Sequence, residues 1–256
     1  MKHAVKETAP DNWCAEFLDE AFADHYLERA PQHILAAVGF LTRHLQLAPG
    51  SRIFDQCCGV GNVSHALARM GHVLTGVDLI PGYVARAEKT AVTEKLNCHF
   101  YADDARSFKT PEPCDAAFNW WTSFGYFEDD AENRRMMERA AESLKPGGRF
   151  VLDYMNRAER IAGFGDEDTM VAETREGRWV SVYDRARDMV IKSWHYRDAA
   201  GNTVEKNGSG AKLYSPAQLQ LLLEQAGFTD VEFRGDWNGA PLTATSPRCI
   251  AIARKA

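Results

Sequence analysis

The sequence predicts a doubly wound α/β fold: a mostly parallel seven-stranded sheet with helices on both faces and an antiparallel sheet inserted after strand five. Two observations lead to this prediction. From residue 52 onward, short apolar segments alternate with amphipathic stretches, which is typical of right-handed crossovers between parallel strands. Over residues 170–214 the pattern changes to alternating polar and apolar positions separated by turn signals, which is typical of antiparallel strands.

The elements are predicted in order along the chain. Trp13, Phe17 and Tyr26 are spaced for one face of an N-terminal amphipathic helix. Prolines suited to a first turn open helices at residues 31, 81 and 216, and a helix over 131–144 is expected to end at the turn Lys145-Pro146-Gly147-Gly148. The strands of the main sheet are predicted at 52–56, 73–77, 98–101, 115–120, 149–154, 228–234 and 248–253.

The composition narrows the class of protein. The chain has 256 residues and a formal net charge of −6, from 30 basic and 36 acidic side chains. Lysines and arginines form no dense cluster, which disfavours a nucleic-acid partner. No stretch approaches the ~20 apolar residues of a membrane span, and residues 1–30 contain no apolar leader run. Six cysteines without C-x-x-C spacing indicate reduced thiols, so we expect a cytoplasmic protein without a metal site.

The most informative stretch is residues 53–64. An apolar strand ends in Asp55 and Gln56, and a turn of small residues (Cys57, Gly59, Gly61) leads into a helix-compatible segment. Glycines belong where a ligand must approach the backbone closely. The next strand ends in Asp78, where a carboxylate can accept from the hydroxyls of a ribose. The pattern therefore predicts a site for a nucleoside cofactor.

Further signals follow this loop in order. An Asp104-Ala105 pair follows the third strand, and an aromatic run over 119–127 follows the fourth. The Lys-Pro-Gly-Gly turn precedes the fifth strand, and Ala226-Gly227-Phe228 begins the sixth. Together these stretches resemble a class I S-adenosylmethionine-dependent methyltransferase of the small-molecule type over roughly residues 31–254. The alternative is an NAD-dependent enzyme, whose fingerprint has a third glycine where this chain has Ser64.

The resemblance implies S-adenosylmethionine as the cofactor and S-adenosylhomocysteine as its product. Asp55 is expected to accept from the methionine ammonium or to orient the loop amides, and Asp78 to accept from the ribose hydroxyls. Asp104 is expected at the adenine amino group, with Asp103 as its rival because the register of the short third strand is open by one residue. Cys57 replaces the first glycine of the family loop, and its small side chain is expected to be harmless there. The expected cofactor-binding residues are Asp55, Cys57, Gly59, Gly61, Asp78, Leu79, Asp104, Ala105, Asn119 and Trp120.

The acceptor is expected between the aromatic run and the inserted sheet, because ligands of open α/β sheets bind at the carboxyl ends of the strands. The expected substrate-binding residues are Trp121, Phe124, Tyr126, Tyr183 and His195. About half of the aromatic run is expected to fill core instead. His195 is the candidate catalytic base. The alternatives for that role are Asp153, Tyr154 and Tyr126.

The predicted function is transfer of a methyl group to an N or O atom of a small-molecule acceptor by in-line displacement, mainly through positioning. A macromolecular acceptor, tRNA or protein, is the alternative. A non-enzymatic cofactor-binding relic is a third hypothesis, which the intact Asp78 and Asp104 disfavour. The oligomeric state is left open.

The predicted division of the chain is a helical lid (1–30), a Rossmann-like cofactor-binding core (31–169), a substrate-side sheet (170–214) and a completing segment (215–256). For the N-terminal aromatics, a packed helix is the alternative to a lid.

Overall fold

A computed structural model describes residues 17–27, 30–165, 167–173, 177–198 and 200–256, so Trp13 lies outside the described residues. The described part contains eleven strands in two sheets. The main sheet holds β1 to β5 together with β10 and β11, and β6 to β9 form the inserted sheet. The strands are β1 Arg52–Gln56, β2 Val73–Asp78, β3 Cys98–Ala102, β4 Cys114–Asn119, β5 Leu144–Met155, β6 Thr169–Glu173, β7 Gly177–Asp184, β8 Met189–Arg197, β9 Thr203–Lys212, β10 Phe228–Arg234 and β11 Arg248–Lys255.

The main sheet has the strand order β10-β11-β5-β4-β1-β2-β3. The first five strands pair in parallel, whereas β11 pairs antiparallel with both β5 and β10. The order reverses at β1, which lies between β4 and β2. A reversal of this kind opens a crevice at the carboxyl ends of the strands.

Helices cover both faces of the main sheet. One core cluster packs the helices Asp130–Ser143 and Pro216–Gln225 against it, and a second packs Pro31–His44, Asn62–Arg69 and Pro81–Glu94 on the other side. Pro31, Pro81 and Pro216 each occupy the first turn of a helix, where the missing amide proton costs nothing. The predicted doubly wound fold class is thus confirmed. The helices are α1 Glu20–Phe22, α2 Pro31–His44, α3 Asn62–Arg69, α4 Pro81–Glu94, α5 Asp130–Ser143, α6 Arg157–Phe164 and α7 Pro216–Gln225, and a π-helical segment, Ala23–Leu27, continues α1.

Two elements differ from the prediction. The predicted turn at Lys145 is part of β5, which begins at Leu144. The pairing of β5 with β4 shifts register at this point. Gly147 has a φ of +75° at this irregularity, a conformation that glycine adopts without steric cost. Helix α6 was not predicted; its first turn is capped by Asn156, whose side chain accepts from the amide of Ala158.

The inserted sheet is antiparallel, in the order β6-β7-β8-β9. It is tied to the main sheet at its end, where the Lys212 amide donates to the carbonyl of Gly125 over 2.7 Å and the Tyr154 hydroxyl donates to the carbonyl of Lys212. Apolar residues of one face, including Tyr183 and Val190, join the core cluster of the main sheet. The insertion therefore lies over the carboxyl ends of the parallel strands.

Candidate active site

A cavity of about 650 Å³ lies between the strand ends and the inserted sheet. This volume falls within the ~300–1,000 Å³ typical of small-molecule sites. Its floor is formed by residues that follow or end β1, β2 and β4, and its roof by β7, β8 and β9 with the N-terminal segment. Among its lining residues are Phe22, Tyr26, Asp55, Gly59, Asp78, Asp104, Trp120, Trp121, Tyr126, Trp179, Lys192 and Trp194.

The loop after β1 is held by backbone hydrogen bonds. The Cys58 amide donates to the carbonyl of Val77 over 2.9 Å, which ties the loop to β2. Gly61 has a φ of +80°, and a Cβ added there would lie 2.8 Å from Cε1 of His65. Cys57 also adopts a positive φ, 64°, so its replacement of the family glycine is not harmless as predicted: a left-handed backbone at a non-glycine residue costs of order 1–3 kcal/mol.

Asp78 links this loop to the cavity. Its Oδ2 accepts from the Gly59 amide over 2.8 Å, and its Oδ1 accepts from the Ile80 amide over 3.0 Å. Burial raises the pKa of this carboxyl, while the two amides oppose the shift. A carboxylate has about four lone-pair sites, so the Asp78 oxygens can still accept from ligand hydroxyls in the cavity.

Asp55 is more deeply placed. Its side chain is 4% exposed, and its Oδ2 accepts from the hydroxyl of Ser64 over 2.7 Å. Burial raises the pKa of Asp55 to about 7; the Ser64 hydrogen bond opposes this and the charge of Asp78 adds to it. A cationic ligand in the cavity would favour the ionised form of this carboxyl.

The structure separates Asp104 from its rival Asp103. Asp104 lines the cavity, whereas Asp103 is exposed and does not. Arg106 engages Asp104 with both Nε and Nη2, over 3.0 Å and 2.5 Å to Oδ2, and lies 4.3 Å above the ring of Phe127. Arg106 also pairs with Glu132 over 2.7 Å. Sequence reasoning did not identify this arginine, which holds the carboxylate at the cavity wall.

Of the two cofactor residues expected at the end of β4, Trp120 reaches the cavity and Asn119 does not. Trp120 lines the cavity, and its Nε1 is buried without a hydrogen-bond partner among the described residues. Asn119 is 0% exposed and does not line the cavity; its Nδ2 donates to Gln56 Oε1 and to the carbonyl of Ser123, both over 3.3 Å. Its buried Oδ1 likewise has no partner in the described part of the chain.

These residues fit the expected cofactor. The carboxylates of Asp55, Asp78 and Asp104 line one end of the cavity beside a glycine loop that leaves room for close approach. Leu79, Ala105 and Cys57 also line it, whereas Gly61 shapes the loop from outside. Carboxylates here suit a ligand that offers an ammonium, ribose hydroxyls and an amino group.

The expected substrate residues divide into two groups. Trp121 and Tyr126 line the cavity. Phe124 does not: it is buried in the core, with its ring centroid 5.9 Å from that of Tyr154. Tyr183 lies in the core as well, stacked on Phe164, with its hydroxyl donating to Asp188 over 2.7 Å. The expectation that part of the aromatic run fills core applies to Phe124. The prediction that Tyr183 binds the substrate is wrong, because its side chain packs into the core and does not line the cavity.

His195, the predicted catalytic base and a predicted substrate-binding residue, does not line the cavity. Lys192 and Trp194 line the cavity, and because side chains alternate along a strand, His195 lies on the opposite face of β8. There its Nδ1 is 3.9 Å from Oε2 of Glu205. The imidazole is thus outside the cavity and cannot reach an acceptor within it.

Two of the alternative bases are also unsuitable. Asp153 is 0% exposed, accepts from Nε of Arg248 over 2.7 Å and does not line the cavity. Tyr154 is buried, which raises the pKa of its hydroxyl, and it donates to the carbonyl of Lys212. Among the predicted bases, Tyr126 is the one that lines the cavity.

Besides Arg106, sequence reasoning missed three cationic side chains of the lining: Arg160 from α6, Lys192 from β8 and Arg248 from β11. They are 32 or more residues apart in the sequence, so no motif contains them. The alternation along β8 places Lys192 in the cavity, but that register depends on which face of the strand is buried.

The N-terminal segment covers the cavity between the two sheets. Its Tyr26 ring packs against Trp194 of the inserted sheet, with centroids 4.4 Å apart, and Phe22 meets the same ring at 5.9 Å. On the other side, Tyr83 of α4 donates to the carbonyl of Asp19 over 2.9 Å. The described aromatics therefore pack as an apolar stripe and line the cavity at once.

Two kinds of feature are absent from the part of the chain that the structure describes. In the ranges that the structure describes, no three His, Cys, Asp or Glu side chains are grouped so that they could hold a metal ion. No helix in those ranges combines the length and apolarity needed to cross a membrane.

Comparison with known proteins agrees with this geometry. Residues 53–148 match the model of a methyltransferase domain family. The ubiquinone biosynthesis O-methyltransferase of Xanthomonas euvesicatoria pv. vesicatoria (strain 85-10) is 28% identical over 129 residues, or 50% of this chain and 53% of that protein. The chain thus matches about half the length of this curated relative.

Two solved structures share the fold over nearly the whole chain. The CcbJ methyltransferase from Streptomyces caelestis superposes with a TM-score of 0.78 at 19% identity, covering 92% of this chain and 96% of that one. The amino pentose methyltransferase CalS10 from Micromonospora echinaspora, solved with S-adenosylmethionine bound, gives 0.65 at 17% identity, covering 93% and 98%. Residues 53–148 thus match a methyltransferase domain, and nearly the whole chain has the fold of these two methyltransferase structures.

Proposed function

We propose that this enzyme transfers the methyl group of S-adenosylmethionine to an N or O atom of a small-molecule acceptor. The observation that carries the proposal is the continuous cavity of about 650 Å³ that joins the carboxylate-lined strand ends to the inserted sheet. A covered cavity of this size suits a small molecule better than a tRNA or a protein. The CalS10 and ubiquinone-biosynthesis enzymes, whose names indicate small-molecule acceptors, are consistent with it.

Asp55, Asp78 and Asp104 would hold the cofactor at the floor. When bound, S-adenosylmethionine supplies a methyl group on a sulfonium, which is already a good leaving group. The protein's contribution is then to align the acceptor atom and exclude water. Trp120, Trp121 and Tyr126 also line the cavity, and aromatic ring faces favour a nearby cation.

The N-terminal segment controls access in this proposal. Phe22 and Tyr26 line the cavity while contacting the inserted sheet, and Lys206 of β9 pairs with Asp19. Ligands enter when these contacts open, which is the behaviour of a lid. The proposed lid therefore uses the same aromatic residues that complete the packing of the closed state.

The test combines binding with methyl transfer. Calorimetry should show binding of S-adenosylhomocysteine and none of NAD. Incubation of the enzyme with methyl-labelled S-adenosylmethionine and a filtered metabolite extract should then label a small molecule. An Asp104→Ala variant should bind the cofactor more weakly. Asp103→Ala should weaken binding much less, because Asp103 is exposed and is linked to the site only through the Asp104 amide, which donates to its Oδ1 over 2.7 Å. NAD binding without S-adenosylhomocysteine binding, or label found in macromolecules alone, would contradict the proposal.

A further inference from the structure

Three cationic side chains meet in the part of the cavity under the inserted sheet. Arg160, Lys192 and Arg248 all line it, although they come from α6, β8 and β11. Asp153 offsets one of these charges through its 2.7 Å bond with Arg248. Glu159 lies beside Arg160 in the chain but does not line the cavity. Positive charge therefore exceeds negative charge at this wall.

Two of the cations have no partner among the described residues. Within the described part of the chain, Lys192 Nζ makes no hydrogen bond or ion pair, and its contact is with the ring of Trp194 at 5.5 Å. Arg160 Nε is buried and has no hydrogen-bond partner among the described residues. Burial, then the neighbouring guanidiniums of Arg160 and Arg248, lower the pKa of Lys192 to about 8. Buried charges are costly unless something pairs with them.

A strained turn fixes the third cation. Trp121 and Thr122 have φ values of 59° and 63°, and such a value is a genuine outlier for a β-branched residue such as threonine. Asp153 holds the turn, its Oδ2 accepting from the Trp121 amide and its carbonyl from the Thr122 amide, both over 3.1 Å. Nη2 of Arg248 donates to the Thr122 hydroxyl over 2.7 Å. Strain of this kind persists where the surroundings over-determine it, and it clusters at ligand sites.

We propose that Arg160, Lys192 and Arg248 bind an oxyanion of the acceptor, a carboxylate or a phosphate, so that the substrate class is an anionic small molecule. This rests on the proposed function, because it assigns the acceptor end of the same cavity. Guanidinium forks match carboxylate and phosphate oxygens, and an ammonium adds a point charge. Trp194, which contacts Lys192, and its neighbour Trp179 also line the cavity and can pack against the rest of the acceptor.

The test uses simple aromatic anions on the protein saturated with S-adenosylhomocysteine. Benzoate and phenyl phosphate are titrated by calorimetry, with benzamide and phenol as neutral counterparts. At least one anion should bind ten times more tightly than its neutral counterpart, and which one does so distinguishes a carboxylate from a phosphate site. Anions that bind no better than the neutral compounds would overturn the inference.

Variants locate the site. Lys192→Met and Arg160→Met should each weaken anion binding at least tenfold, and Lys192→Arg should retain it. Arg178→Met is the matched control, because Arg178 pairs in register with His195 on the opposite face of the same sheet. Unchanged anion affinity in Lys192→Met, or an equal loss in Arg178→Met, would overturn the assignment.

Proton uptake and S-adenosylhomocysteine binding distinguish a failure of this inference from a failure of the proposed function. At pH 8, anion binding should be accompanied by proton uptake, seen as a dependence of the heat on buffer ionisation, and Lys192→Met should abolish it. Each variant should still bind S-adenosylhomocysteine, which shows that it is folded. A parent protein that binds no S-adenosylhomocysteine contradicts the proposed function, whereas one that binds it but no anion contradicts this inference alone.

Discussion

The two ends of the cavity differ in charge and in how the sequence builds them. The floor presents the carboxylates Asp55, Asp78 and Asp104, and the opposite end presents the cations Arg160, Lys192 and Arg248. Each carboxylate lies at or just after the end of a parallel strand, whereas the cations come from a helix and two strands that are distant in sequence. A site whose residues follow consecutive strands can be predicted from the sequence. A site whose residues come from distant elements on both sides of an insertion cannot.

The difference also concerns electrostatic compensation. At the floor, backbone amides and the Ser64 hydroxyl donate to the carboxylates, which opposes the cost of burying them. At the cationic end, Asp153 is directly paired with Arg248 but Lys192 lacks such a partner in the described chain. The floor is therefore largely satisfied without a ligand, while the cationic end depends on one.

The largest expected effect concerns the ion pair that anchors the cationic end. Asp153→Ala should lower the free energy of unfolding by about 3–5 kcal/mol, because it leaves Arg248 and the amide of Trp121 without their acceptor. Denaturant unfolding measures this. Asp168→Ala, which removes an exposed pair with Arg185, is the control and should cost at most about 1 kcal/mol. Equal effects would show that the cationic end is not held by a buried pair.

A smaller effect is expected in the pH dependence of S-adenosylhomocysteine binding, through Asp55 at the floor of the cavity. Burial raises the pKa of Asp55 to about 7, so this carboxyl is protonated in the free protein below that pH. The ammonium of S-adenosylhomocysteine favours the ionised form. Its affinity should therefore rise by up to about tenfold per pH unit between pH 5.5 and 7 and then level off. Asp55→Asn should remove the slope, and a slope that survives this change would assign the titration to another group.

The stability of the ligand-free protein should change with pH in the opposite direction from the ligand affinity. A carboxyl whose pKa is raised on folding binds more protons in the folded state, so its contribution to the free energy of unfolding declines as the pH rises from about 4 to 7. Urea unfolding of the parent and of Asp55→Asn over this range isolates that contribution. A difference between the two proteins that does not change with pH would contradict the assigned titration.

The smallest expected effect is an increase in the thermal stability of the ligand-free protein. The pKa of Lys192 is lowered to about 8 by burial and by Arg160 and Arg248, while Asp153 is engaged by Arg248. Below pH 8 the charged lysine therefore opposes folding, and Lys192→Met should raise the melting temperature of the ligand-free protein by about 2–4 °C for each kcal/mol regained. Arg178→Met is again the control. A lower melting temperature in Lys192→Met would mean that the cation has a partner within the protein.

The sequence allowed the fold to be predicted because hydrophobic alternation and turn residues are local signals. Asp55 and Asp78 could be placed because they end strands beside a glycine loop. His195 could not be placed: a shift of one position along β8 exchanges it with Trp194, and nothing local to the strand sets which face is buried. Arg160 was missed because α6, which carries it, was not predicted at all.

The left-handed backbone at Cys57 and at the Trp121–Thr122 turn was equally beyond sequence reasoning. None of these residues favours a positive φ, so each conformation is imposed by tertiary contacts such as the hydrogen bonds from the Trp121 and Thr122 amides to Asp153. Local propensity fails here because the surrounding site determines the backbone. Both departures occur in segments that line the cavity.

The most direct test of the division between the two ends is calorimetry of S-adenosylhomocysteine binding to Asp78→Ala and Lys192→Met. Asp78→Ala should weaken binding about 30- to 150-fold, or roughly 2–3 kcal/mol, because the ribose hydroxyls lose a charged acceptor. Lys192→Met should leave the affinity within about twofold of the parent. Equal losses in the two variants, or an unchanged affinity in Asp78→Ala, would contradict the assignment of cofactor and acceptor to opposite ends of the cavity.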